Sequence, residues 1–351
     1  MKLYKYIILL IISFSCSTDE NQIEYNPTPF YIETPNAFPQ MNIPLDNPIT
    51  HEGVYLGKKL FYDEILSSDN SISCASCHIQ NYSFSDPNQY SLGVDQQIGF
   101  RHSSTLINLG YNDFFHWDGS TSSLEDQISR PLFTHFEMGN LDWSSIISRL
   151  SSDQEYVELF FDAFGECEID STQVKKAIAQ FERTIISSNS RYDKWLRGEV
   201  FFTEEELDGL NIFFTERGDC FHCHGGINFM DNIFHNNGLD ETFSDLGLYE
   251  VTDDPNDIGL FKTPTLRNIE FSAPYMHDGR FISLDEVIEH YNSGGVYSAT
   301  IDPLMKYVNS NPFGIPGLTG LVLSEQEKNN LKAFLLTLSD HEFIQNSDFQ
   351  P

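Results

Sequence analysis

Residues 74–78 read Cys-Ala-Ser-Cys-His, and residues 220–224 read Cys-Phe-His-Cys-His. C-x-x-C-H is the attachment sequence of c-type haem. Its two thiols add to the haem vinyl groups as thioethers, and the adjacent histidine is held under the ring as the proximal iron ligand. Cys74, Cys77 and His78 are therefore expected to hold one haem, and Cys220, Cys223 and His224 a second. Two other chemistries use paired cysteines. One structural zinc could take all four thiols, but the pairs are far apart and each is followed directly by histidine. A thiol redox pair expects a βαβ setting, and strand patterns are few here.

Helical patterns lead into both motifs. After Thr50, the residues Val54, Gly57, Leu60 and Phe61 recur at helical spacing, and Val174, Ala177, Ile178, Phe181 and Ile185 mark a long helix from near Ser171. Thr203 with Glu206, Ser283 with Glu286, and Ser324 with Glu327 are capping boxes, each opening an apolar stripe. Long Gly/Asn/Asp/Pro-rich loops such as 228–268 lie between. The expected fold is mainly α, with little β: two cytochrome c-like haem domains, 49–200 and 201–351, each with a helix before its motif and a long loop after it.

The 351 residues carry 52 acidic against 20 basic side chains, a formal charge of −32. That balance excludes nucleic acid as a partner, because phosphate binding needs a basic face. At the start, Lys2 and Lys5 precede an apolar run from Ile7 to Phe14 that is too short to remain as a membrane span. It ends at Ser15-Cys16. Residues 1–16 read as a lipoprotein-type export signal with Cys16 as the lipid-bearing residue, and 17–48 as a flexible tether. The expected location is the periplasm, anchored to a membrane.

The chain resembles the bacterial dihaem cytochrome c peroxidases and their MauG-like relatives over roughly residues 45–343. The likeness rests on Leu56 to Asp63 followed by Ser71 to Cys74, on Arg101 to Asn108, on His116-Trp117-Asp118-Gly119, on Glu137-Met138-Gly139, and on Lys262 to Asn268 with Ala273 to Gly279. It implies that the His78 haem binds peroxide and the His224 haem receives electrons from a small cytochrome c or cupredoxin. Trp117 then matches a tryptophan between the haems, and Gln127 and Glu137 match the pocket over the first. His277 matches a residue near the second haem. The resemblance also implies a calcium ion held by Asn108 and by the carbonyls of Ser272 and Pro274, and family members are often homodimers.

Elementary chemistry supports Glu137. Peroxide cleavage needs a base to take a proton from the iron-bound oxygen and an acid to return it to the departing hydroxide; one carboxyl can do both. No histidine lies between Ile79 and Arg101 to cap the first iron, although His102 is close by. Tyr291 stands where peroxidases of this kind commonly place a methionine ligand of the second iron; MauG-like proteins use tyrosine there. Tyr291 also continues the stripe of Leu284, Val287 and Ile288, so core packing is its other reading, and Met276 is a further sulfur nearby. The expected function is reduction of H2O2. The alternatives are a MauG-like oxidase, which Tyr291 favours, and a plain electron carrier. Gly218 disfavours the oxidase, because it replaces the tryptophan through which MauG acts on its partner.

Overall fold

The computed structural model describes residues 25–305 and 319–351. The export signal, Cys16 and the first part of the tether lie outside the described residues. The helices are α1 (His51–Tyr62), α2 (Cys74–Cys77), α3 (Leu124–Gln127), α4 (Ser129–Phe133), α5 (Trp143–Ser151), α6 (Gln154–Phe164), α7 (Ser171–Thr184), α8 (Arg191–Leu196), α9 (Glu204–Phe213), α10 (Tyr249–Thr252), α11 (Leu284–Ser293) and α12 (Glu325–Leu336). Among the described residues the only sheet has two strands, β1 (Phe234–His235) and β2 (Phe261–Lys262), paired antiparallel with Phe234 opposite Lys262. The fold is mainly α.

The three capping boxes open α9, α11 and α12, with Thr203, Ser283 and Ser324 accepting from the N3 backbone and the glutamate reaching back. Gly294, at φ 88°, stops α11 in the left-handed conformation that glycine adopts without strain. Two helix pairs organise the packing. A side chain on Gly57 of α1 would run into the carbonyl of Ala177 on α7, and one on Gly209 of α9 into the carbonyl of Asn330 on α12. Each crossing is flanked one turn on by phenylalanines: Phe61 and Phe181 in the first, Phe213 and Phe334 in the second, with ring centroids 5.3 and 5.1 Å apart.

Two apolar cores form around these crossings, and the chain passes between them more than the expected division at 200/201 allows. Tyr192 and Trp195 of α8 pack on the second core. Phe343 and Phe349, near the C-terminus, belong to the first, where Gln80 Nε2 donates to Asn346 O at 2.7 Å. The expected tether departs further. From residue 25 on it lies against the folded body: Phe30 N donates to Ile49 O and His51 N to Thr28 O, both at 2.9 Å. Phe38 and Met41 are buried. Composition alone marked this stretch as polar, but its few apolar side chains find a seam.

Phe38 covers the Arg267 guanidinium at 4.8 Å. Arg267 is fully buried and forks onto Asp193 through two bonds of 2.9 Å, while its Nε donates to Ile227 O at 2.8 Å. This pairing joins the loop after β2 to α8. Breaking one partner leaves a buried charge unpaired, which costs about 3–5 kcal/mol. Thermal unfolding followed by circular dichroism should show Arg267→Met and Gly209→Val each lowering Tm, the second because valine forces the α9–α12 backbones apart at about 3 kcal/mol or more. An unchanged Tm for Gly209→Val would show that the two helices do not cross this closely.

Candidate functional site

Each C-x-x-C-H motif forms one short turn at the edge of a cavity. Cys74 and Cys77 open and close α2, and His78 caps it; Cys220 to His222 is a single 3₁₀ turn followed by Cys223 and His224. The four thiols are free. Burial pushes Cys74 and Cys220 up to about 12 and Cys77 up to about 11. That direction is opposite to the lowered value that makes a redox-active cysteine pair reactive. The two pairs line separate cavities, so they do not converge on one zinc.

The histidines are prepared alike. His78 Nδ1 lies 3.0 Å from Phe84 O, and His224 Nδ1 lies 3.0 Å from Phe229 O. Both phenylalanines have positive φ, 57° and 52°. An imidazole that donates Nδ1–H to a carbonyl offers a neutral Nε2 lone pair, the form a metal binds. Burial holds both rings below the usual histidine range. The first cavity measures about 510 Å³ and the second about 230 Å³. Two free thiols, a pinned neutral imidazole and an apolar cavity at each motif fit a c-type haem.

Trp117 lines both cavities, and its Nε1 donates to His102 O at 2.8 Å. Glu137 lines the first. Among the described residues its carboxylate takes no hydrogen bond, and burial raises it above the ordinary value despite the pull of Arg130 and Arg101. Gln127 also lines the first cavity, but its Nε2 is turned to Glu182, at 3.0 and 3.2 Å. His102 has both ring nitrogens engaged: Nε2 with Ser85 Oγ at 3.0 Å, Nδ1 near the carbonyls of Asn88 and Gln89 at 3.2 and 3.3 Å. In the second cavity Tyr291 and Met276 lie together, each 3.4 Å from the amide nitrogen of Asn237. Tyr291 therefore faces the cavity, and burial pushes its hydroxyl up to about 12. His277 lines that cavity too and stacks on Phe261 at 3.7 Å.

The expected calcium ligands fare differently. Ser272 and Pro274 line the second cavity, whereas Asn108 lines neither. Asn108 Oδ1 accepts from Ser187 N at 2.9 Å, and its Nδ2 donates to Ser187 O and Asn228 Oδ1 at 3.0 and 3.1 Å. Its side-chain oxygen thus accepts one N–H and keeps a second lone pair.

Two features escaped the sequence reading. Glu182, on α7, is 4 % exposed and lines the first cavity. Its place in the helix pattern gave no signal, because charged residues at that spacing usually face solvent. The second is an internal register. Thr105 and Thr265, Asn108 and Asn268, Asp118 and Asp278, Gly119 and Gly279, Ser123 and Ser283, and Leu124 and Leu284 are each 160 residues apart. The backbones agree: Asn108 and Asn268 share φ 58°, and the Phe115–Thr121 and Tyr275–Phe281 bridges correspond. In this register Trp117 matches His277, and the residue matching Tyr291 is Pro131, which lines the first cavity. A self-comparison at that offset would have found it.

Comparison with known proteins agrees with this geometry. The family described as di-haem cytochrome c peroxidase matches residues 51–201. The methylamine utilization protein MauG of Methylophilus methylotrophus is 31% identical over 342 residues, covering 96% of each chain. Cytochrome-c peroxidase IdrP1 of Denitromonas iodatirespirans is 33% identical, covering 88% of this chain and 87% of its own. The chain belongs to the di-haem cytochrome c peroxidase family. Among solved structures, a MauG-like protein associated with microbial copper homeostasis superposes with a TM-score of 0.83 at 33% identity, covering 92% of this chain and 99% of its own. As a di-haem peroxidase family member the protein carries two c-type haems, and it is an oxidoreductase. No helix among the described residues is long and apolar enough to cross a membrane.

Burial raises the Glu182 carboxyl from its ordinary 4.5 to about 8. The folded chain therefore keeps a proton that the unfolded chain loses near its ordinary value, so folded stability falls as pH rises between these two limits and is level above the upper one. Glu182→Gln removes the dependence. Its Tm should gain on the wild type from pH 5 to pH 8; an equal difference at both pH values would show that Glu182 ionises normally.

Proposed function

We propose that this protein reduces hydrogen peroxide to water, H2O2 + 2e⁻ + 2H⁺ → 2H2O, cleaving it beside His78 and taking electrons beside His224 from a small cytochrome c or cupredoxin. The observation that carries this reading is Glu137, an unbonded carboxyl raised by burial and lining the first cavity. When bound, the haem irons supply the electrons and a Lewis-acidic place for peroxide. Glu137 takes a proton from the nearer peroxide oxygen and returns it to the farther one as the O–O bond breaks, so water leaves instead of hydroxide. Gln127, anchored by Glu182, lines the same space and orients the bound oxygen atoms. Trp117, lining both cavities, lies on the electron path.

The first site is open in this reading. Pro131 has no ligand atom where the repeat has Tyr291, and both nitrogens of His102 are already engaged. At the second site we assign Tyr291 as the other iron ligand; a phenolate oxygen favours ferric iron and lowers the potential. The two engaged ring nitrogens and the free Glu137 speak against a plain carrier. A MauG-like oxidase is the second reading, supported by Tyr291 and opposed by Gly218 in the place of MauG's tryptophan. The site of action proposed is the periplasm, with Cys16 as lipid anchor, supported by the signal-like residues 1–16 and by haem attached through thioethers. A calcium ion held by Asn108 and by the carbonyls of Ser272 and Pro274 belongs to the same reading, supported by the resemblance to the family.

Electron paramagnetic resonance of the diferric protein, with peroxide titration, tests the proposal. One high-spin and one low-spin signal should appear, and peroxide should be consumed without prior reduction. Glu137→Gln should lower kcat by about 10²–10⁴-fold, and Tyr291→Met should change the low-spin signal. Two low-spin signals and no turnover before reduction would overturn the open site. Full turnover in Glu137→Gln would remove Glu137 from the reaction.

A further inference from the structure

Lys262 is the one lysine or arginine among the described residues that lines both cavities. Its backbone is fixed there twice, by the pairing of β2 with β1 and by Lys262 N donating to Trp117 O at 2.8 Å. The other cations at the first cavity are already matched: Arg101 meets Asp118, Asp245 and Glu250, and Arg130 meets Asp118. The second cavity is lined by no other lysine or arginine. Lys262 Nζ has a single acceptor among the described residues, the carbonyl of its neighbour Thr263 at 3.4 Å, and it forms no ion pair there. Burial pushes its ammonium down to about 8.

An ammonium has three donors and needs an anion or several oxygens when it is taken out of water. In a chain with 52 acidic residues to 20 basic, leaving this cation with the pull of Asp231 but no ion pair is out of character. The missing carboxylates come with the cofactors, since each haem carries two propionates. We propose that Lys262 is a shared haem-positioning residue, its ammonium donating to a propionate carboxylate of each haem and tying the two rings across the seam where Trp117 lies. Two propionates and one ammonium then form a network that neither half of the chain could build alone, because β2 belongs to the second half and Trp117 to the first. The inference rests on the two haems and not on peroxide chemistry.

The test uses the holoprotein with both haems attached, as wild type, Lys262→Met, Lys262→Gln and Lys262→Arg. Two quantities are read: the midpoint potential of each haem, and the propionate bending bands of each haem by resonance Raman spectroscopy. Adding an electron to a haem is easier beside a positive charge. Lys262→Met and Lys262→Gln should therefore lower both midpoint potentials and shift both sets of propionate bands, while Lys262→Arg keeps both near wild type. If Lys262→Met does not accumulate with two haems, the contrast between Gln and Arg carries the test. A shift at one haem alone overturns the shared role, and unchanged potentials and bands at both overturn the contact with propionate. Both readouts are taken at equilibrium without peroxide, so a protein that fails to turn over peroxide still decides this question.

Discussion

Two helices cross backbone to backbone in each half, α1 over α7 at Gly57 and Ala177, and α9 over α12 at Gly209 and Asn330. The absence of a side chain at the two glycines allows that approach, and the phenylalanines one turn further on fill the angle the crossing leaves. With the helices locked, the chain that leaves α1 or α9 has only a short reach before its C-x-x-C-H turn. The cysteine pair is thereby set at the rim of a cavity, and not buried in the core.

The halves meet at a seam built from loops. His102 N donates to His277 O at 2.7 Å and Lys262 N to Trp117 O at 2.8 Å, so two backbone links cross between the halves, and the Trp117 indole joins them within the first half by donating Nε1–H to His102 O. Arg101 adds the charge that holds them, reaching Asp118 of its own half and Asp245 of the other. Asp118 is kept far below the usual carboxylate range by Arg101 and Arg130, although burial opposes this. The Asp-Gly pairs that mark these loops are turn elements with one clear physical task each: the aspartate anchors a cation, and Gly119 and Gly279 take positive φ where the turn closes.

The 160-residue register explains why the two sites differ while sharing a frame. The loop, the turn and the capped helix are repeated, so any position on one has a counterpart on the other. Tyr291 faces the second cavity and its counterpart Pro131 the first. Glu137 follows a few residues after Pro131. In the reading proposed here, one backbone thus presents an oxygen ligand on one side and free space beside a carboxyl on the other.

Local residue chemistry determined the cofactor, the helix starts and the mainly α class. C-x-x-C-H specifies its own reaction with haem, a capping box specifies its own hydrogen bonds, and an apolar stripe specifies a face. The 25–48 stretch was misjudged because composition counts polar residues and does not see where Phe38 and Met41 land. Tertiary structure alone decided which cavity each polar side chain reaches: that Gln127 turns to Glu182, that both nitrogens of His102 are occupied, and that Asn108 holds Ser187. It also decided that Lys262 stands at both cavities. Those outcomes depend on groups brought together from opposite ends of the chain, and the free energy of a buried charge or amide is set by those distant neighbours and by the water they exclude.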